Sequence, residues 1–254
     1  MLHASADEIT ANSESGRNVI AQSWSWLAPR VHVIYNAVDL HHFVPSRTTL
    51  EASTPVRRTV RLVALASHQK VKNLSTVLRA MLHIRRHETV HLRWYGGTRE
   101  DLAPHKEAHE FVRANGLEGT VELLPPTKDP RQAYWDSDAV LLASFFEGCP
   151  NVICEAMACG KPVLASAVSD NPLIVEDGVS GLLFDPNSAE SIAAAIAQFA
   201  RLDPAKSADM GRAGRRRAEQ LFDPDVCARR YEDLLLSAAH RRGRSTCVLR
   251  KSPW

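Results

Sequence analysis

Neither sign of charge dominates this sequence. The 31 lysines and arginines are set against 29 aspartates and glutamates, for a net charge of +2 over 254 residues. Nucleic-acid binders usually carry a basic stripe, so no nucleic-acid partner is expected. The basic runs that do exist, Arg215-Arg216-Arg217 and Arg241-Arg242-Gly243-Arg244, read as solvated helix surface and tail. Weak attraction to anionic lipid headgroups is the functional alternative. Cysteines are few and odd in number, five in all. Cys149, Cys154 and Cys159 are spaced five apart, which is not metal-ligand spacing. All five are expected as free thiols in a reducing cytoplasm. No apolar run reaches the ~20 residues that a spanning helix needs. Met1 to Thr10 is polar and lacks a basic n-region, so no signal peptide is expected. With 44% apolar and 24% charged residues, the composition is that of an ordinary globular protein. The length suits one large domain, or one domain plus a piece of another. A cytoplasmic protein is expected, with a peripheral place at the inner face of a membrane left open.

The pattern along the chain changes once. Glu8 to Ala11 reads as a short strand and Asn12-Ser13 as a helix cap. Ile20, Trp24 and Leu27 share one face of the helix that follows, which Pro29 should stop. Val31 to Tyr35 is a second strand. Pro45 to Arg58 is polar without period and reads as a linker. Beyond it strands alternate with helices. Strands are expected at 59–66, 90–95, 120–124, 138–143, 162–166 and 181–184. Helices are expected from Leu74, around 105–115, over 150–159, and from a capping box of Asn187 with Glu190 to about Leu202. Two more follow at 205–221 and 225–239. Alternating units of this kind give an α/β, Rossmann-like, doubly wound parallel sheet. Ligands on such a sheet sit at the carboxyl ends of the strands.

The informative residues fall at one of those ends. A buried strand ends near Ser144, and a loop then carries Glu147 and Gly148. Pro150 opens a helix, where its missing N–H costs nothing. The amides of Asn151 and Val152 lack helical partners, and such a helix start binds anions. Gly148 allows a phosphate close to the backbone. Glu155 lies further along the helix. Two carboxylates flanking a phosphate-sized site are out of place in a plain phosphate cradle. They suit a diphosphate with hydroxyl-rich groups on both sides, as in a nucleotide-sugar.

This stretch, through Glu155-Ala156-Met157-Ala158-Cys159-Gly160-Lys161-Pro162-Val163, resembles the Glu-x7-Glu signature of group 1 glycosyltransferases. These are retaining, metal-independent enzymes of GT-B architecture, with two facing Rossmann-like domains. Weaker matches flank it. Ala6 to Ser13 is similar to the last strand of the first domain. Val33 to Asp39, with Phe43 and Pro45, is similar to the interdomain segment. Val175-Glu176-Asp177-Gly178 with Gly181 is similar to the lead-in to the C-terminal helices. The resemblance implies the C-terminal half of a GT-B fold, with 1–45 a remnant of the acceptor domain plus the interdomain segment. It makes 46–222 the donor-binding domain, 223–240 a crossing helix and 241–254 a flexible tail.

The resemblance also assigns roles. Glu147 would hold the donor sugar's hydroxyls and Glu155 the ribose diol. Gly148, Asn151 and Val152 would cradle the diphosphate, and Lys72 would neutralise it. A leaving diphosphate gains charge as its bond breaks, so a fixed cation there stabilises the transition state. Where the family often has an arginine shortly before that lysine, this chain has Ser67; Lys70 is the candidate second cation. The base pocket is expected near Leu124 to Thr127. The implied donor is a UDP- or GDP-sugar, used without cofactor or metal, for hexose transfer with retention in cell-surface polysaccharide or glycolipid synthesis. The acceptor is not legible.

Plainer readings stand beside these. His3, His41, His42 and His68 read as exposed loop residues, with His68 a minor candidate for a phosphate contact. Trp24 and Trp26 read as core or interface. Asp170-Asn171 reads as an ordinary turn or as a donor contact. In the last helix Cys227, Tyr231, Leu234, Leu235 and Ala238 form one apolar face, which packs on the N-terminal remnant, packs on another chain, or stays exposed. Three readings of the whole remain open: a partial enzyme, a half-enzyme that pairs with a separate acceptor-domain protein or a second copy, and a non-catalytic nucleotide-sugar binding module.

Overall fold

The computed structural model describes residues 6–46, 59–85, 87–97 and 102–241. Most of the expected linker, the tail, His3 and Arg242 to Arg244 lie outside the described residues.

A small parallel pair comes first. β1 (Ile9–Ala11) lies beside β2 (Val31–Val33), with Ile9 opposite Val31. Between them runs α1 (Glu14–Ser23), capped by the Ser13 hydroxyl, which accepts from the Gly16 N–H at 3.0 Å. The expected continuation of α1 through Trp24 to Leu27 is corrected. The backbone breaks at Trp24 and resumes as a 3-10 turn, Ser25–Arg30, which contains Pro29. An α-helix through this segment would drive the proline ring into the Ser25 carbonyl and lose its hydrogen bond. The break buries Leu27 against Ile9 and Val31 and leaves Trp24 and Trp26 47% and 52% exposed. Both tryptophans lie on the surface, outside the core.

Six parallel strands follow: β3 (Val60–Leu65), β4 (Val90–Tyr95), β5 (Val121–Leu124), β6 (Ala139–Leu142), β7 (Val163–Ser166) and β8 (Gly181–Phe184). Their order across the sheet is β5-β4-β3-β6-β7-β8. The chain therefore winds outward from β3 in one direction, then from β6 in the other. Helices α2 (Leu74–Ile84), α3 (Leu102–Ala114), α4 (Pro130–Trp135), α5 (Asn151–Ala158), α6 (Asn171–Ile174), α7 (Ala189–Ala200), α8 (Pro204–Phe222) and α9 (Pro224–Arg241) complete the chain. The sheet separates two apolar cores. One joins Leu62, Leu92 and Trp94 to α2, α3 and α7. The other joins Val63, Val140 and Val163 to α4, α5 and α8. Every residue of β6 and β7 is buried, which is why these strands are continuously apolar rather than alternating. Burying each large aliphatic chain stabilises by about 1.5–3 kcal/mol.

Several local expectations are corrected. The sequence reading did not find α4 or α6, both under two turns. The cap of α7 is Ser188, whose hydroxyl accepts from the Ser191 N–H. Asn187 is already engaged: its backbone and side-chain amides both donate to Asp185. Pro150 is the N-cap of α5 rather than its first helical residue. Arg215 and Arg217 are structural rather than solvated. Arg215 donates to the carbonyls of Phe43 and Ala158, and Arg217 to that of Ile174; Arg216 is exposed. At the end of α5, Gly160 takes φ +68°, the left-handed close expected of a helix terminus. A Cβ on Gly211 of α8 would lie 2.1 Å from the Gly160 carbonyl, so the two segments can meet only with glycine there.

The apolar face of α9 divides. Cys227 is buried against Tyr35, while Tyr231 and Leu235 are exposed. Among the described residues, no helix is long and apolar enough to cross a membrane.

Candidate functional site

The winding direction reverses between β3 and β6, and the crevice at the carboxyl ends of these strands is the expected ligand site of such a sheet. The residues after β3 and after β6 converge there. After β3 the chain makes a 3-10 turn, Lys70–Lys72, ended by Asn73 at φ +62°. Asparagine tolerates this left-handed conformation better than most residues. Asn73 is buried, and its amide donates to the carbonyls of Ala143 at 3.0 Å and Pro186 at 2.8 Å. The Phe145 N–H donates to the Val71 carbonyl at 2.9 Å. These bonds fasten the lysine turn to the loops after β6 and β8.

Across that junction, Lys72 Nζ donates to Glu147 Oε1 at 2.7 Å. Both side chains are largely covered, with 27% and 12% exposure. The Glu147 N–H is held by the Ser169 hydroxyl at 3.2 Å. Gly148 lies against Asn12 and Ser13 of the N-terminal segment. The first helical bonds of α5 run from Ile153 and Cys154 back to the Pro150 carbonyl. The amides of Asn151 and Val152 precede them and are free of helical acceptors, as helix geometry dictates. The Asn151 side chain accepts from Asn36 at 2.9 Å.

Glu155 has a different partner on the other side. Tyr134, fully buried on α4, donates its hydroxyl to Glu155 Oε2 at 2.8 Å. Burial raises the Glu155 pKa, opposed by the Tyr134 hydrogen bond and the field of His42. Burial and the adjacent Glu155 carboxylate push the Tyr134 hydroxyl far above its ordinary range. The two carboxylates are thus held apart in role: Glu147 faces a cation and Glu155 a neutral donor. The helix start lies between them in sequence.

The remaining expected residues are placed less centrally. Ser67 is half-buried just past β3. Lys70 lines a cleft of about 390 Å3 between α2 and α3 with Phe145, Arg79 and Phe111. Leu124 ends β5 at the sheet edge, and its carbonyl accepts from Gly96. His41 and His42 are exposed, as expected. His68 is not: it is buried and stacks on His105, with their Nδ1 atoms 2.8 Å apart.

Asp170 was legible only as an ambiguous turn. It is fully buried, and its carboxylate accepts from the N–H groups of Glu14 and Ser15 at 2.7 and 2.8 Å, the Ser15 hydroxyl at 2.5 Å and the Tyr35 hydroxyl at 3.1 Å. It therefore clamps the start of α1 to the large sheet. The Tyr35 hydroxyl is raised above its ordinary range, mainly by burial. Tyr134, Asn73 and Ser169 were missed as site-building residues. The one available signal for Tyr134 was Asp129-Pro130: Asp129 caps Gln132 and the proline occupies the first turn of α4. The four described cysteines are free thiols, and all are buried.

The family model described as "Glycosyl transferases group 1" matches residues 58–201. The D-inositol 3-phosphate glycosyltransferase of Streptomyces avermitilis is 29% identical over 253 residues, covering 94% of this chain and 54% of the relative. The protein of that name from Mycobacterium marinum is 30% identical over 196 residues, covering 75% of this chain and 41% of the relative. The chain thus spans about half the length of the curated relatives it matches. Among solved structures, HepE of Anabaena in complex with UDP-glucose is 26% identical with a TM-score of 0.79. That match covers 91% of this chain and 64% of the other. A glycosyltransferase from Rickettsia africae shares the fold at a TM-score of 0.82 and 17% identity, covering 94% and 64%.

Proposed function

We propose, from the premise that this chain belongs to the group 1 glycosyltransferase family, that it supplies the nucleotide-sugar donor site of a hexosyltransferase. The observation that carries this reading is the Glu147–Lys72 pair at the sheet's switch point, beside the start of α5. One cation and a set of free amides suit a diphosphate, and a carboxylate on each side suits the hydroxyls of a sugar and a ribose. Uracil is the base this reading favours, supported by the HepE structures, which hold UDP with glucose and UDP-glucose at 25% and 26% identity to this chain.

In the proposed mechanism the donor diphosphate binds at the amides of Asn151 and Val152. Lys72 exchanges its contact with Glu147 for the diphosphate. Glu147, freed of the cation, accepts hydrogen bonds from the sugar hydroxyls. Glu155 accepts from the ribose diol. As the glycosidic bond breaks, the negative charge grows on the diphosphate, where Lys72 and the helix amides stabilise it without reorganising. The acceptor attacks from the face the diphosphate leaves, and the anomeric configuration is retained. The whole protein's setting is cell-surface polysaccharide or glycolipid synthesis, in keeping with the sequence resemblance.

Calorimetry of the chain with UDP, GDP and their sugars tests the donor site. UDP and a UDP-sugar should bind more tightly than the guanosine compounds. Binding that is absent for all of them, or unchanged in Glu155→Ala, refutes the assignment.

A further inference from the structure

Two thiols lie inside the candidate donor site and have no part in the mechanism above. Cys149 sits between Gly148 and Pro150, in the loop that carries Glu147. Cys154 lies one turn into α5, next to Glu155. Their sulfurs are 3.7 Å apart. Both are reduced, Cys154 fully buried and Cys149 at 7% exposure. Neither of the other two described cysteines has a hydrogen bond to a thiol: Cys159 caps the far end of α5, and Cys227 contacts the carbonyls of Tyr35 and Leu221 and feels Cys149 only at longer range.

The geometry points to a modification site: Cys149 and Cys154 form a reversible disulfide when a small peroxide reaches the loop, and that bond disables the donor site. This rests on the donor-site reading given above.

The two sulfurs are not equivalent. Cys149 precedes the start of α5, where helix amides and dipole favour a thiolate. Its thiol is lowered from the ordinary value, chiefly by the hydrogen bond from Cys154. Cys154 is raised by burial. Cys149 is therefore the nucleophile and Cys154 the resolving thiol. At 7% exposure a peroxide fits the approach better than a bulky disulfide does. The Cys149 thiolate attacks one peroxide oxygen, the O–O bond breaks, and hydroxide leaves. Cys149 is then a sulfenic acid. Cys154 gives its proton to the departing hydroxide, which becomes water, and its thiolate attacks the Cys149 sulfur. The S–O bond breaks, and the oxygen leaves as a second water on taking a proton from solvent. Two thiols lose two electrons, and one peroxide becomes two waters.

The consequence follows from distance. A disulfide bond is about 2.05 Å long, so the sulfurs must close by more than an ångström. Cys154 is fixed in a helix whose neighbours Ile153, Ala156 and Met157 are fully buried. The closing movement therefore falls on Cys149 and the loop that carries it. That loop holds Glu147 against Lys72, and the Cys149 carbonyl accepts from Asn36 at 3.4 Å. Drawing it toward α5 pulls Glu147 away from Lys72 and crowds the approach to the amides of Asn151 and Val152 at the helix start.

The test uses the whole chain with Cys247→Ser, treated with hydrogen peroxide and then with dithiothreitol. Peroxide should lower the intact mass by about 2 Da, the two thiol hydrogens, and peptide mapping should join Cys149 to Cys154. Amide exchange over residues 145–158 should change, and Kd for UDP should rise about tenfold or more. Dithiothreitol should reverse all four. In Cys154→Ala the reaction should stop at a sulfenic acid on Cys149, trapped by dimedone; in Cys149→Ala neither product should form. Cys159→Ala should still form the bond. Absence of the mapped disulfide overturns the proposal, as does a disulfide that leaves both exchange and UDP affinity unchanged. Should the reduced chain not bind UDP at all, the donor-site reading fails instead, and mass and exchange alone decide the disulfide.

Discussion

Lys72 Nζ lies 2.7 Å from Glu147 Oε1, joining the turn after β3 to the loop after β6 across the point where the sheet reverses. Without a donor, each charge is the other's partner. The pair is largely covered, so Lys72→Ala leaves the Glu147 carboxylate without its cation and should lower the unfolding temperature. It should weaken UDP binding by about tenfold or more, roughly the 1.4 kcal/mol of one charge-assisted contact. Calorimetry against a thermal scan separates the two effects. A variant that loses stability but keeps its UDP affinity would assign the pair to structure alone. Glu147→Gln should act differently: it releases Lys72 to the diphosphate, so affinity for UDP should hold or rise while the extra affinity for a UDP-sugar over UDP falls.

Tyr134 and Glu155 make a pH prediction. Burial raises the Glu155 pKa and the Tyr134 hydrogen bond lowers it. UDP binding that needs the carboxylate should decline on acidification, starting at a higher pH than an ordinary glutamate would give. Tyr134→Phe removes the opposing donor, so the decline should move to still higher pH. Comparing the two proteins from pH 5 to 8 cancels the titration of UDP itself. A midpoint that stays put or moves down refutes the assignment. Stability carries the opposite sign. Because the folded-state pKa is raised, the cost of ionising Glu155 is absent below the unfolded value of about 4.3. It grows as pH rises, and is complete above the folded value. Glu155→Gln should then be more stable than the parent at neutral pH and lose that advantage in acid.

The sheet and the loop that carries Glu147 were legible because each is written locally. β6 and β7 are continuous apolar runs, and the glutamate, glycine and proline of 147–150 are punctuation of a kind that survives without context. Tyr134 was not legible, because six helical residues give no period to read. Asp170 was not legible for a different reason. Its role depends on Glu14 and Ser15, more than 150 positions away, and nothing local to Asp170-Asn171 signals a partner. His68 failed the same way: one loop histidine looks exposed until β3 and α3 bring His105 over it. Trp24 was misplaced because helical spacing was extended past the reach of Pro29.

Asn73 gives a paired backbone and side-chain test. Its φ of +62° favours glycine among substitutes, and its amide holds two carbonyls. Asn73→Gly keeps the conformation and loses both bonds, at about 0.5–1.5 kcal/mol each. Asn73→Ala loses the bonds and adds left-handed strain of about 1–2 kcal/mol. Urea unfolding should rank the parent above glycine and glycine above alanine. Both variants should also weaken UDP binding, since the turn they loosen carries Lys72. Equal stability of the two variants would show that strain plays no part.

Asp170 carries the attachment of the N-terminal segment. Its carboxylate accepts four hydrogen bonds, two from backbone amides in the first turn of α1 and two from the hydroxyls of Ser15 and Tyr35. A carboxylate is favoured at that end of a helix, and hydrogen bonds to a charged group contribute about 1.5–3 kcal/mol. Removing it leaves half-buried donors without their acceptor. Asp170→Ala should destabilise by about 2–4 kcal/mol in urea unfolding, since such bonds act as a unit and do not add. Tyr35→Phe removes one bond of the four and should cost about 1 kcal/mol. Limited proteolysis identifies the part that loosens. In Asp170→Ala, cuts should appear first between residues 14 and 35, while the six-stranded sheet stays protected. Cleavage that starts instead within β6 to β8 would show that Asp170 supports the sheet rather than the docking of α1.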